Sequence, residues 1–179
     1  EFNAFGELLP GFNINAGYQF NILKYPAGTF GDDAVDTNGD RIFDANVVPG
    51  LPFTLGGTQF LNAPKHKFTL SGDYGFPVGD TMELFLNANV VWKSEVLLAN
   101  RADPRYRYPG HALVNTGFGV RDQDGGWTAS VFVRNLTKER EPMAYLASTF
   151  FGTADGGLRA WPVSGLTARV VGVRVGFEF

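Results

Sequence analysis

Cysteine is missing from this 179-residue chain, and so is any long apolar run. The first absence excludes disulfide staples and suits an oxidising envelope compartment, although many cytosolic domains share it. The second excludes a helical membrane protein, because a spanning helix needs roughly 18 consecutive apolar residues. Positive charge is scarce too: 15 Lys and Arg against 18 Asp and Glu leave a net charge of −3, which argues against a nucleic-acid partner. No Ser/His/Asp constellation and no metalloprotease motif is present, so no enzyme is expected. No secretory leader is expected within these residues either. Because the chain opens inside a strand-like pattern, Glu1-Phe2-Asn3-Ala4-Phe5, it is expected to be a fragment of a longer precursor.

Apolar residues are nevertheless plentiful, at 44%, with 17 Phe and 23 Gly. They are interleaved with polar ones. Near the end, Val171, Val173, Val175, Phe177 and Phe179 alternate with Gly172, Arg174, Gly176 and Glu178, the period of two that puts successive side chains on opposite faces of a strand. One such strand could belong to a soluble sheet with one wet face. The pattern recurs, however, from Phe12 to Ile22, Lys67 to Phe76, Thr81 to Lys93, His111 to Arg121 and Trp127 to Arg134, and in the opening stub from Phe2 to Leu8. About seven strands follow, most near the ~9–11 residues that cross a bilayer at a tilt. Strands of soluble sandwiches are nearer ~5–6 residues.

The connections carry a second signal. Leu9-Pro10-Gly11, Pro77-Val78-Gly79-Asp80 and Asp122 to Gly126 are short and rich in turn formers. They alternate with long connections, roughly Tyr25 to Pro64, Ser94 to Gly110 and Leu136 to Gly165. Outer-membrane barrels show this asymmetry, with short periplasmic turns and long extracellular loops. Phe12, Tyr74, Phe76, Trp127, Phe177 and Phe179 share the apolar parity near the short-turn end, where an aromatic girdle belongs, and Trp92 suits the opposite girdle. The expected fold is therefore all-β, an antiparallel transmembrane β-barrel. An odd count of strands cannot close such a wall, since bacterial barrels have even counts and an open edge in lipid leaves backbone groups unpaired. Further strands are expected upstream.

Four segments resemble the C-terminal part of TonB-dependent outer-membrane receptors: Leu9-Pro10-Gly11-Phe12-Asn13-Ile14-Asn15-Ala16-Gly17-Tyr18, Asn62-Ala63-Pro64-Lys65-His66-Lys67-Phe68, Val131-Phe132-Val133-Arg134-Asn135-Leu136-Thr137-Lys138-Glu139-Arg140, and Gly172-Val173-Arg174-Val175-Gly176-Phe177-Glu178-Phe179. Lys138 departs from the Asp or Asn usual there, and the plug domain and TonB box that define the family functionally are not in this chain. The resemblance implies a barrel of roughly 22 strands, of which residues 1–179 supply the C-terminal part, about the last third of the wall. It implies import of a scarce, bulky small-molecule nutrient, often a ferric siderophore, with energy from the TonB complex acting through the missing N-terminal region. The expected location is the outer membrane of a Gram-negative bacterium. The alternatives are a passive porin or diffusion channel, and an outer-membrane enzyme with a catalytic cluster at the lumen rim.

Three features could carry chemistry. Asp36, Asn38, Asp40, Ile42 (by its carbonyl) and Asp44 have the spacing of an EF-hand-type calcium loop, but Arg41 replaces the turn glycine and Val47 the closing glutamate. A solvated Asp/Asn/Gly turn explains the same residues. Arg101, Arg105 and Arg107 beside Tyr106, with Arg159 and Trp161 in the third loop, could hold an anionic aromatic ligand, or simply meet lipopolysaccharide phosphates and water. The final strand with Phe177 and Phe179 resembles the signal read by the barrel assembly machinery, and also serves as a wall strand with girdle aromatics. Glu7, Asp73, Glu83, Lys93, Arg121, Arg134, Arg174 and Glu178 are expected on the polar interior. His66 and His111 stand isolated in sequence.

Overall fold

The computed structural model describes residues 1–27, 29–31, 53–54, 56–98, 107–147, 158–162 and 168–178. Its strands are β1 (Phe2–Leu9), β2 (Phe12–Phe20), β3 (Phe30–Gly31), β4 (Phe53–Thr54), β5 (His66–Val78), β6 (Met82–Lys93), β7 (Val96–Leu97), β8 (Arg107–Tyr108), β9 (His111–Asp122), β10 (Trp127–Arg134), β11 (Pro142–Ala147), β12 (Leu158–Pro162) and β13 (Val170–Phe177). Among the described residues there is no helix, and the protein is all-β. Seven strands form one antiparallel sheet in the order β1-β2-β5-β6-β9-β10-β13. Each long strand pairs with the next one in sequence, so the sheet is a meander. Among the described residues β1 and β13 are its two free edges, and the sheet does not close on itself.

The register keeps the apolar parity on one face across all seven strands. Tyr74 lies opposite Phe12 and Leu86, Phe118 opposite Leu86 and Val131, and Val131 opposite Val173. This consistency is not trivial, because a slip of one residue between any two strands would exchange the faces of everything beyond it. Among the described residues, none covers the apolar face. Leu86 is 47% exposed, Phe118 53% and Val173 72%.

The polar face is built differently. Phe85 and Phe132 break its polar pattern, and each sits between glycines. Phe85 pairs with Gly75 and Gly119, and Phe132 with Gly117 and Gly172. A Cβ added at Gly119 would come within 2.6 Å of the Phe85 ring, and one added at Gly172 would collide with Phe132. The missing side chains let both rings lie down against neighbouring backbone, which buries Phe85.

Positive φ marks the short turns, with Gly11 at 77°, Gly79 at 67° and Gly125 at 84°, a region where glycine carries no Cβ penalty. Gly11 has a second reason to be glycine, since a Cβ there would strike the carbonyl oxygen of Gly75. One turn is shorter than its composition predicts. Pro77 and Val78 belong to β5 and pair with Glu83 and Met82, leaving Gly79, Asp80 and Thr81 as the connection. Pro77 lies beyond the last β5 residue paired with β2, so its missing N–H can face an unpaired side.

The long connections are not plain coil. Within them β3 pairs with β4, β7 with β8 and β11 with β12. The first connection also continues the β2–β5 hairpin through the Lys24–Gln59 bridge and the stacked rings of Tyr25 and Phe60, centroids 4.2 Å apart. It then meets the second connection where Leu61 bridges Leu97 and the Asn62 N–H donates to the Leu97 carbonyl at 2.9 Å. Val96, Leu97 and Leu98 are buried at this junction. A buried apolar cluster therefore lies between connections, away from the broad apolar sheet face.

Candidate functional site

At the long-loop end of the polar face, strand ends and connections enclose a cavity of about 680 Å³. Gln19, Lys67 and Lys93 line it from the sheet, Asn62 and Val96 from the first two connections, and Glu139 and Glu141 from the third. Strand alternation explains the sheet contribution, since all three side chains have the polar parity. The connections contribute because the junction at Leu61 and Leu97 folds them over that face.

Three ionisable groups from separate parts of the chain meet at this cavity. Lys93 Nζ donates to both Glu141 oxygens, at 2.8 and 3.0 Å. His111 Nε2 lies 3.2 Å from Glu141 Oε2, with only 6% of its side chain exposed. The other ring nitrogen, Nδ1, faces the Pro109 carbonyl at 3.0 Å. A carbonyl can only accept, so Nδ1 must carry the proton in that contact. With a second proton on Nε2 the ring also donates to Glu141; without it, an unprotonated nitrogen faces a carboxylate. Tyr108 packs edge-on against the His111 ring, centroids 5.1 Å apart, and its hydroxyl donates to Glu139. Partial burial alone would push the Glu141 carboxyl up, but the Lys93 ammonium and the His111 ring outweigh it and hold the carboxyl below its ordinary value.

The turn that presents Glu139 and Glu141 is organised by Asn135. This residue is buried, at 2% exposure, with φ of 52°. Its N–H donates to Asn115 Oδ1 at 2.9 Å, its Nδ2 donates to the Glu139 carbonyl at 2.8 Å, and its Oδ1 accepts from the Glu139 N–H at 2.8 Å. The neighbours Leu136 and Thr137 tie the turn to β9, through Leu136 N–H to Val114 O at 2.7 Å and Thr137 Oγ1 to Ala112 O at 2.8 Å. The Asn-Leu-Thr strand end is thus a structural knot that fastens the start of the third connection to the sheet.

The residues expected to carry chemistry are only partly brought together. Arg107 lies at the exposed rim and pairs with Glu95 at 2.6 Å. Arg159 and Trp161 lie on β12, paired with Leu146 and Ala144 of β11. Arg101, Arg105 and Tyr106 fall outside the described residues, as do Asp36, Asn38, Asp40, Ile42 and Asp44 of the candidate calcium loop, and Phe179. Phe177 ends β13 on the apolar face opposite Trp127, 66% exposed.

No protein-family model, curated protein or solved structure matches the chain.

Sequence reasoning misses the Lys93–His111–Glu141 cluster. Two of its three residues are within reach, because Lys93 and His111 are cross-strand partners and a hairpin register drawn from the paired apolar residues sets them side by side. Glu141 carries no such signal, since it arrives by way of the Asn135 turn.

A pH effect follows from the Glu141 carboxylate. Its pKa is depressed in the folded protein, so its contribution is complete above the ordinary carboxylate value and is lost as the pH falls through the lower folded value. The pair is worth about 1–2 kcal/mol of local anchoring. Hydrogen exchange of residues 139–141, corrected for intrinsic rates, should show increased opening under acid in the natural protein. Glu141→Gln should show that opening already at neutral pH and no further acid effect. Identical profiles for the two proteins would remove Glu141 as the anchor.

Proposed function

We propose that the seven-stranded sheet is part of the wall of an outer-membrane β-barrel, with its apolar face against lipid and its polar face toward the barrel interior. One observation carries this: a continuous apolar face spanning seven paired strands, lined by large side chains that no described residue covers. In water such a face would be a far larger apolar patch than soluble monomers tolerate. In a bilayer it is the required surface. The distribution of aromatics agrees, with Phe12, Tyr74, Phe76, Trp127 and Phe177 toward the short-turn end and Trp92 toward the other. Since lipid offers no partner for unpaired backbone, the free edges of β1 and β13 need further strands to close the wall, in keeping with a barrel of roughly 22 strands.

Within that frame the chain serves an active-transport receptor that binds a scarce small-molecule nutrient, such as a ferric siderophore, and imports it with energy from the TonB complex. Support comes from the Asn-Leu-Thr strand end with its specific fold and from the short-turn/long-connection rhythm, which together resemble TonB-dependent receptors. The loop-roofed cavity beside Lys93 and His111 is a suitable place for a polar ligand to meet the wall. The terminal aromatics, Phe177 and Phe179, would then also be read by the barrel assembly machinery. A passive diffusion channel shares the wall and lacks the energy coupling.

The full-length protein separates these possibilities. Expected are recovery in the outer-membrane fraction, slower electrophoretic migration after boiling than before, and nutrient uptake that stops when the proton-motive force is collapsed. Uptake that persists without energy, together with steady single-channel conductance in planar bilayers, would make it a porin. A water-soluble monomer with no affinity for lipid would overturn the barrel itself.

A further inference from the structure

Arg134 and Arg174 form a pair of cations on the polar face. Phe132 lies across the backbone of Gly172, and from that position its ring faces both arginines. The Arg134 guanidinium carbon is 5.3 Å from the ring centroid and that of Arg174 is 5.6 Å. Contacts of this kind hold a guanidinium in place without using its N–H donors. Among the described residues neither arginine forms an ion pair, whereas Arg107 and Arg121, elsewhere on the molecule, each hold a glutamate.

Both arginines line one concavity of about 490 Å³ in the middle of the polar face. Its wall is rich in amides, Asn15, Asn89 and Asn115 among them, and among the described residues Asp73 is the single carboxylate that lines it. The Asn115 carbonyl oxygen accepts from the Asn135 N–H, which fixes the amide's orientation, and no bond among the described residues uses its NH₂ donors. Each guanidinium keeps several donors in a rigid fork suited to carboxylate or phosphate oxygens. An anion bearing several such oxygens engages both forks from the one concavity they line.

We propose that Arg134 and Arg174, oriented by Phe132, form a binding site for a small multiply charged anion bearing carboxylate or phosphate groups. The site needs only the sheet, so it does not rest on the transport function proposed above. It also lies apart from the Lys93–His111–Glu141 cavity.

The test uses the intact full-length protein, with citrate and inorganic phosphate as probes in calorimetric titration. Binding of at least one probe is expected, weakening as salt is raised. Arg134→Gln combined with Arg174→Gln should weaken it about tenfold or more. Phe132→Leu should weaken it by a smaller factor, because the charges remain but lose their common orientation. Arg134→Lys with Arg174→Lys should recover part of the loss. A second measurement needs no variant: citrate or phosphate should slow phenylglyoxal modification of Arg134 and Arg174, read by peptide mass, while leaving Arg107 unaffected. Failure of both probes to bind, or equal affinity in the natural protein and a folded double glutamine variant, would overturn the proposal. So would probes that slow modification of all arginines equally.

Discussion

Arginine in place of Phe118 or Val131 is expected to cost about 2–4 kcal/mol and to remove most of the folded protein from the membrane. Both residues lie in the middle of the apolar face, opposite each other on β9 and β10, and they are 53% and 48% exposed. In a protein surrounded by water these substitutions would be harmless or even favourable, because they would add charge to an exposed patch. In a bilayer they place a guanidinium where neither water nor a counter-ion is available. Asn89→Arg is the matched control, since Asn89 lies on β6 with the opposite parity and lines the polar concavity. Folded yield, read from heat-dependent electrophoretic migration, should fall sharply for the first two and stay near normal for the third. If all three behave alike, the apolar face does not meet lipid.

The second large effect is expected at Asn135. Replacement by leucine removes both side-chain hydrogen bonds to the Glu139 backbone and leaves those backbone groups without partners, at about 1–3 kcal/mol for each unsatisfied group. It also asks a branched side chain to adopt φ of 52°, a region that asparagine tolerates and most L-residues resist by roughly 1–2 kcal/mol. The total is about 3–8 kcal/mol. Asn135→Gly should cost less, because it relieves the backbone while losing only the hydrogen bonds. Urea unfolding in lipid vesicles gives both values. A leucine variant within about 1 kcal/mol of the natural protein would show that the knot does not hold the third connection.

Much of the architecture is legible in the amino-acid sequence. Alternation is local: each residue's face depends only on its neighbours in the chain, so the apolar set from Phe12 through Phe20 or from Met82 through Trp92 declares itself. Turn chemistry is local as well, and Pro10-Gly11 closes its hairpin as composition predicts. The limit comes at Pro77, where proline suggests a turn but the residue lies within a strand, one position before its end, because its position beside an unpaired edge removes the usual objection. The candidate chemistry is less legible. Arg101, Arg105 and the Asp36–Asp44 loop stand out for their density in sequence, whereas Arg134 and Arg174 read as ordinary interior charges separated by 40 residues of chain.

The amino-acid sequence by itself determined the all-β class, the parity of each strand and the alternation of short and long connections, since each is set by interactions within a few residues. Tertiary structure decided which charges meet. Lys93 and His111 become neighbours through the β6–β9 register, and Glu141 reaches them because Asn135 turns the chain back onto β9. Arg134 and Arg174 share one ring because β10 pairs with β13 and Gly172 leaves room for Phe132. Such contacts join residues far apart in the chain, and only strand pairing and the close approach of backbone at glycine specify them.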